Sequence, residues 1–328
     1  MNAWLLDAMV GIETLRLADA PDPVPGAGEA LLAISLAGLN PADRYLAKDE
    51  YPGKPAMPHI LGRDGLGVIQ SVGNDVTVFK PGDRVIVLRS EIGVTRPGTF
   101  AQKVAVPVES LAPIPPGWTD EQSAGAALVY LTAYQALTQW GELKPSVVLI
   151  TGASGGVGVA ATQLATAMGH DVVALSRSST KGEQLKNIGA KFVADPTNAD
   201  WPKVVRSFLG TRKVDLAIDN IGGPDFSKVI SLLGYNGKLS AIGRLAGPVP
   251  EFNTSTLFFR RIKIGGVAVG DYKPAEAQTA WNKIVEIMNA AGSRPLVDSV
   301  FAFEKLLDGF SRLHDGPMGK VLVQIGGA

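Results

Sequence analysis

Residues 147–169 read VVLITGASGGVGVAATQLATAMG. Four consecutive apolar residues reach a Thr-Gly turn, and a run of small apolar residues begins almost at once, which predicts a buried strand feeding straight into a helix. The first N–H groups of such a helix have no intrahelical partner and carry partial positive charge. A diphosphate is stabilised at that end, and Gly155 and Gly156 lack the Cβ that would hold it away. Gly158 allows the helix to pack against the strand. Ser154, Gly155, Gly156 and Val157 are therefore candidate cofactor contacts. The first position of the Gly-x-Gly-x-x-Gly pattern is Ala153, so the segment gains its specificity from its setting between a strand and a helix, with further units after it.

That setting is clear downstream. Strands are predicted over residues 147–151, 171–175, 214–219, 238–242 and 262–269, and helices over 157–168, 181–188 and 226–233. The alternation predicts a parallel sheet wrapped by helices, an α/β doubly wound domain. Upstream, residues 30–37, 67–72, 84–87 and 100–106 are short apolar or alternating runs bounded by Gly and Pro, the texture of a compact, barrel-like β unit. Helical residues begin at Thr119-Asp120-Glu121 and run over 121–138. Two more helices, 275–290 and 303–313, and a closing strand, 320–325, are assigned back to the first domain. The expected organisation is residues 1–118 with 271–328, mainly β, and residues 119–270, the dinucleotide-binding domain.

The second strand decides which dinucleotide. An NAD site places Asp or Glu at the end of that strand to accept from the ribose 2′-hydroxyl. Here Asp171-Val172-Val173-Ala174-Leu175 leads into Ser176-Arg177-Ser178-Ser179-Thr180-Lys181. The slot holds hydroxyls and two cations, which suit the additional phosphate of NADP(H). Ser176, Arg177 and Lys181 are the candidate contacts.

Composition removes other chemistries. The 328 residues contain no cysteine and only three histidines, His59, His170 and His314, without metal-ligand spacing. Thiol nucleophiles, disulfides and cysteine zinc sites are excluded, and no protein-bound metal is expected. Net charge is zero, which gives no reason to expect a nucleic-acid partner. No membrane partner is expected either, since no stretch approaches about 20 apolar residues. The N-terminus has no basic leader before an apolar run, so the expected location is the cytoplasm.

Several motifs in order carry a resemblance. They are Gly38-Leu39-Asn40-Pro41-Ala42-Asp43, Gly62-Arg63-Asp64-Gly65-Leu66-Gly67, Phe79-Lys80-Pro81-Gly82-Asp83-Arg84-Val85, Tyr130-Leu131-Thr132-Ala133-Tyr134, Gly155-Gly156-Val157-Gly158, Asp219-Asn220-Ile221-Gly222-Gly223 and Gly319-Lys320-Val321. Over nearly its whole length the chain resembles the zinc-independent quinone oxidoreductase branch of the medium-chain dehydrogenase/reductases. Zinc-dependent relatives carry a Cys and a Gly-His-Glu motif where this chain has Asn40-Pro41 and Gly62-Arg63-Asp64, and they carry a four-Cys lobe that is missing here. The resemblance implies a GroES-like catalytic domain, a Rossmann domain, a cleft between them, and a homodimer joined through the last Rossmann strand. It implies that Lys181 reaches the 2′-phosphate, that Asn40 lies near the nicotinamide, and that Thr132 lies beside the cofactor. It also implies that Asn220, Gly243 and Val267 line the nicotinamide ribose and ring. The tyrosine that some members place beside the adenine is replaced by Asp195-Pro196, with Arg177 as its substitute.

The implied reaction is hydride transfer from NADPH to a quinone or other α,β-unsaturated carbonyl. Such transfer needs the donor carbon about 3–3.5 Å from the acceptor and a hydrogen-bond donor for the developing oxyanion. Asn40 and Tyr51 are the catalytic candidates, Tyr51 matching a proton-donating tyrosine of enoyl-thioester reductases. Tyr45, Tyr51 and Tyr130 are candidate walls of the substrate pocket. Two alternatives stand beside this reading: reduction of an enoyl thioester, and a non-catalytic NADPH-binding sensor or structural protein.

Overall fold

Apolar runs interrupted by Gly and Pro give short strands in the first third of the chain. They are β1 (Asn2–Leu6), β2 (Arg16–Asp19), β3 (Glu29–Gly38), β4 (His59–Ile60), β5 (Asp64–Val72), β6 (Arg84–Val87), β7 (Lys103–Pro107) and β8 (Leu111–Pro113), with helix α1 (Pro41–Ala47) after β3. Two helices follow, α2 (Asp120–Ala124) and α3 (Ala127–Thr138). Strands and helices then alternate: β9 (Val147–Ile150), α4 (Gly156–Ala167), β10 (Asp171–Leu175), α5 (Ser179–Asn187), β11 (Ala190–Ala194), α6 (Trp201–Leu209), β12 (Val214–Asp219) and α7 (Phe226–Leu232). Next come β13 (Leu233–Ala241), α8 (Ser255–Arg260) and β14 (Lys263–Gly266), then α9 (Pro274–Ala290), β15 (Val297–Ala302), α10 (Leu306–His314) and β16 (Lys320–Gln324). This is a computed structural model, and it describes residues 1–88, 91–141, 143–247 and 253–326.

The chain divides into two units. The first holds residues 1–128, 270–282 and 295–328. Its main sheet runs β15-β16-β3-β5-β6-β8, with β7 also on β3, and β2-β1-β4 form a second, three-stranded sheet. Every second residue along β3 faces the core, so Leu32 and Ile34 pack with Val104, Val321 and Phe310. Two neighbours of β3 matter for the site. The register sets Gly38 opposite Asp64 on β5 and opposite Leu322 on β16. Residues 119–128, expected with the dinucleotide-binding domain, lie in this unit because the Leu128 amide donates to the Asp64 carboxylate at 3.0 Å.

The second unit holds residues 129–269 and 283–294. Its six strands are all parallel, in the order β11-β10-β9-β12-β13-β14. Numbered within the unit this is 3-2-1-4-5-6, the doubly wound order that reverses between β9 and β12 and leaves a crevice beyond their carboxyl ends. Val147, Leu149, Val173, Ala217 and Leu239 form the apolar interior, closed on one side by Trp201 and Val205 of α6.

Several boundaries differ from the sequence expectation. The helix predicted over 121–138 breaks at Gly125, where a Cβ would stand 2.6 Å from Lys320 Cγ. The strand predicted from Phe100 starts at Lys103, and α1, β11 and α6 stand where the sequence reading predicts no element. No helix among the described residues is long and apolar enough to cross a membrane.

Candidate functional site

The candidate residues fall on two surfaces, one in each unit. In the second unit the carboxyl ends of the parallel strands gather most of them. Gly152, which follows β9, has φ +57°, a conformation L side chains rarely adopt. The backbone therefore turns one residue before the position where the strict pattern has glycine, and Ala153 there points its methyl into the core, fully buried. Gly158 serves packing: a Cβ on it would lie 2.3 Å from Gly152 O and 2.5 Å from Ala153 Cα. Gly155 is different, since a Cβ there would meet only Gly152 O, at 3.5 Å. Nothing in the fold itself forbids a side chain at 155. The glycine keeps open space in front of a helix end whose N-cap provides no side-chain hydrogen bond, so the N–H groups of Gly156 and Val157 are left for an anion. A dinucleotide diphosphate fits this cradle.

The end of β10 carries the next group. Ser176 is buried, its hydroxyl donating to Ser178 O at 3.3 Å, and Ser178 caps α5 by accepting from the Lys181 amide at 3.3 Å. Arg177 is exposed. No carboxylate occupies this loop, but Asp195 after β11 is close enough to feel Arg177. Its carboxyl is held below the usual range first by the Thr197 amide and hydroxyl, and also by the Arg177 charge.

At the end of β12, Asn220 donates its amide nitrogen to Thr151 O at 2.8 Å, and its backbone N–H to Thr151 Oγ1 at 2.9 Å. The Asn220 Oδ1 atom is buried and accepts no hydrogen bond among the described residues. An orphaned acceptor at a strand end is what a ribose hydroxyl or a carboxamide would satisfy. Gly243, after β13, must be glycine because a Cβ would lie 2.2 Å from Asn220 O. Val267, after β14, donates its amide to Ala241 O at 3.0 Å. Ser154, Gly155, Gly156, Val157, Ser176, Arg177, Lys181, Asn220, Gly243 and Val267 thus all follow carboxyl ends of this one sheet or open the helices after them. Thr132 lies apart in sequence, on α3, and is 8% exposed.

Tyr130, on α3, is 2% exposed, its hydroxyl donates to Gln163 Oε1 on α4, and burial pushes the phenol upward. It packs within the core of the second unit.

The first unit holds a buried polar cluster around Asn40. The Lys320 ammonium, on a side chain 5% exposed, donates to Asn40 Oδ1 and to Asp64 Oδ2, each at 2.6 Å. Asn40 Nδ2 donates to Asp64 Oδ2 at 3.0 Å and to Gly38 O at 3.3 Å. Both amide hydrogens of Asn40 are therefore engaged within the protein. Asn40 is a hub of this cluster, and it could reach a substrate oxyanion only by abandoning Asp64 or Gly38. The cluster needs Gly38, where a Cβ would sit 2.8 Å from Lys320 Cε.

Asp43 and Arg63 extend the cluster. Asp43 is fully buried and accepts from the Asn40 amide at 2.9 Å, closing the N-terminus of α1. Burial pushes its carboxyl up to about 6, with Asp64 adding to the rise and Arg63, the Asn40 amide and Lys320 opposing it. Arg63 lies 3.7 Å from Asp43 Oδ1, donates to Tyr51 Oη at 3.0 Å, and places its guanidinium carbon 4.3 Å from the Tyr51 ring centre. Tyr51 and Tyr45 are both half-buried. Asp43, Arg63, Asp64 and Lys320 were not among the sequence candidates. Asn40-Pro41-x-Asp43 is a helix-start signal that would have found Asp43, and a lysine opening the apolar strand KVLVQI would have found Lys320.

Comparison with known proteins matches two family models to the chain: an alcohol dehydrogenase GroES-like domain over residues 26–116 and a zinc-binding dehydrogenase domain over residues 156–286. A human synaptic vesicle membrane protein VAT-1 homolog is 30% identical, covering 98% of this chain and 86% of its own length. A human quinone oxidoreductase is 27% identical, covering 95% and 94% respectively. The chain belongs to the medium-chain dehydrogenase/reductase superfamily, in its quinone oxidoreductase-like branch. Among solved structures, an NAD-dependent alcohol dehydrogenase superposes with a TM-score of 0.92 at 30% identity, over 99% of this chain and all of the other. A mycobacterial protein solved in complex with NADPH gives 0.89 at 26% identity, with the same coverage. The chain is thus an oxidoreductase of this superfamily, with a GroES-like domain and a Rossmann domain. The zinc in the second family description does not fit the residues present. The chain has no cysteine, no group of three His, Cys, Asp or Glu among the described residues could hold a metal, and a lysine ammonium already sits between Asn40 and Asp64.

Proposed function

We propose that this protein is an NADPH-dependent, zinc-independent oxidoreductase that reduces a quinone or another α,β-unsaturated carbonyl compound. The observation that carries the reading is the end of β10. Ser176, Arg177 and Lys181 stand where an NAD site needs a carboxylate, after a strand whose Leu175 O accepts from the Ala153 amide of the turn at 3.2 Å. The NADPH held by the mycobacterial neighbour supports the same choice, whereas the NAD-dependent neighbour makes it worth testing directly.

Bound NADPH would supply the hydride. The chain's residues then have separate tasks. The N–H groups of Gly156 and Val157 hold the diphosphate, and Arg177 and Lys181 hold the 2′-phosphate. Asn220 Oδ1 accepts a hydrogen bond from the nicotinamide half. Gly243 and Val267 line that half at the ends of β13 and β14. Tyr51 supplies the proton that completes a two-electron reduction. With no metal to polarise the acceptor, the carbonyl must be activated by side-chain and backbone donors.

We also propose a homodimer paired through β14, the edge of the six-stranded sheet. Ile264 on that strand is 38% exposed, and Phe258 and Phe259 of α8 are 65% and 74% exposed, an apolar rim of the kind that partners cover.

Oxidation of NADPH and NADH should be followed with naphthoquinones, 2-alkenals and crotonyl-CoA side by side. NADPH with a quinone or alkenal should be fastest, and Lys181→Ala should raise KM for NADPH about tenfold with little effect on NADH. Equal use of NADH and NADPH would overturn the cofactor reading. Preference for crotonyl-CoA would move the substrate to thioesters, and NADPH binding without any turnover would make the protein a sensor.

A further inference from the structure

We infer that Arg63 is a positioning residue for Tyr51, a buried fixed charge that determines where the phenol proton points. The inference rests on reading Tyr51 as the proton donor. Its physical basis is the direction of one hydrogen bond. A guanidinium has five N–H donors and no acceptor, so in the 3.0 Å contact between Arg63 Nη1 and Tyr51 Oη the phenol oxygen must accept. The single phenol hydrogen is then turned away from Arg63 and available to another acceptor. Stacking of the same guanidinium 4.3 Å from the ring centre fixes the plane of the tyrosine as well.

The cost of this arrangement argues that it is not simply structural. Arg63 is 7% exposed, and its Nε and Nη2 atoms are buried with no hydrogen-bond partner among the described residues. Asp43, its ion partner, is fully buried, and the oxygen facing Arg63 at 3.7 Å is likewise without a hydrogen bond. A buried ion pair with three unsatisfied polar atoms is a poor way to hold a fold, and an apolar pair of similar volume would be more stable. Among the described residues the one hydrogen bond Arg63 makes is to Tyr51, so what the guanidinium itself holds is the phenol.

In the reduction, hydride adds to the β-carbon of the enone, the C=C electron pair shifts toward the carbonyl oxygen, and the Tyr51 O–H bond breaks to give its proton to the α-carbon or to that oxygen. The phenolate left behind faces a cation already in place, which needs no reorganisation to stabilise it. Water then returns the proton. Arg63 transfers no proton in this step.

Removing Arg63 alone would strand Asp43, so the test uses the charge-balanced double variant Asp43→Asn/Arg63→Gln, together with Arg63→Lys and Tyr51→Phe. The first readout needs no turnover. In protein labelled at the tyrosine Cζ, the Tyr51 carbon signal, assigned by its loss in Tyr51→Phe, should shift toward the value of freely hydrated tyrosines in the double variant. The second is kinetic: kcat should fall about tenfold with KM within about twofold, and adding Tyr51→Phe should cause no further loss beyond that of Tyr51→Phe alone. Arg63→Lys, which keeps the charge, should recover part of kcat. An unmoved Cζ signal, or losses from the double variant and Tyr51→Phe that multiply, would overturn the role of Arg63. If the double variant does not fold, Arg63→Lys decides, since an unchanged signal and unchanged kcat in it would also overturn it. Failure of the proposed function reads differently: no acceptor would be reduced by the wild-type protein, while the Cζ shift would still report the Arg63–Tyr51 bond.

Discussion

Glycines 155 and 158 lie three residues apart in one turn and are glycine for different reasons. At Gly158 an added methyl would meet backbone at 2.3 Å, and overpacking of this kind costs about 1–3 kcal/mol. At Gly155 the same methyl would make only an ordinary contact with Gly152 O, at 3.5 Å. Gly158→Ala should therefore lower the midpoint of thermal unfolding, whereas Gly155→Ala should leave it unchanged and weaken NADPH binding measured by fluorescence titration. Equal melting losses in both variants would show that Gly155 is a packing residue and that the cradle has been misread. The same distinction separates Asn40 from Tyr51. Both are polar and stand near one another in sequence, yet Asn40 has its amide hydrogens committed to Asp64 and Gly38, while Tyr51 receives a bond and keeps its hydrogen.

At the scale of elements, α1, β3, β5 and β16 meet at Lys320. Its two 2.6 Å contacts and the close approaches at Gly38 and Gly125 make it the point where these four elements are fixed. Lys320→Met would leave Asp64 and Asn40 buried without their cation, and breaking a buried pair in this way costs about 3–5 kcal/mol. Urea denaturation should show a loss of that order; a midpoint equal to wild type would mean that water or a solvent cation replaces the ammonium. This junction is also where local sequence signals end. Much of the second unit is legible because period and turn chemistry are local: the expected ends of β10 and β12 match those observed, although β11 and α6 do not appear among the predicted elements. Pairing across 256 residues, such as Asp64 with Lys320, leaves no local signal. The motif singles out Asn40, but of the three residues that engage its amide only Gly38 is a neighbour in the chain, while Asp64 and Lys320 come from β5 and β16. The bond of Tyr130 to Gln163 is hidden in the sequence for a related reason, since Gln163 lies on another helix.

For the whole molecule, Asp43 introduces an uncommon pH dependence. The unfolded chain releases this proton near the ordinary aspartate value, while the folded protein holds it up to about 6. Between about pH 4 and 6 the folded state thus binds more protons, and Asp43's contribution to stability decreases as pH rises, by about 3 kcal/mol at most. Carboxylates such as Asp171 and Asp298, held low first by the Arg212 bond in one case and, against burial, by the Arg312 bond in the other, act in the opposite sense at lower pH. The effect is isolated by comparing wild type with Asp43→Asn: the difference in unfolding free energy should change across pH 4–6 and level off above it. A pH-independent difference would mean that Asp43 titrates normally. Assembly is tested at the same scale. Ile264→Lys places a charge on the exposed edge strand and should shift the mass measured by light scattering from dimer to monomer; an unchanged dimer mass would locate the interface elsewhere.

The distance along the chain between Asp64 and Lys320 has a consequence for synthesis. A ribosome adds about 5–20 residues per second, so the carboxylate at position 64 waits at least about ten seconds for a counter-ion 256 residues downstream. During that interval β5 cannot bury Asp64 at its native depth without an uncompensated charge, whereas all six strands of the second unit have already been made. The native burial of Asp64 in the first unit therefore waits for β16, which is made after every strand of the second unit.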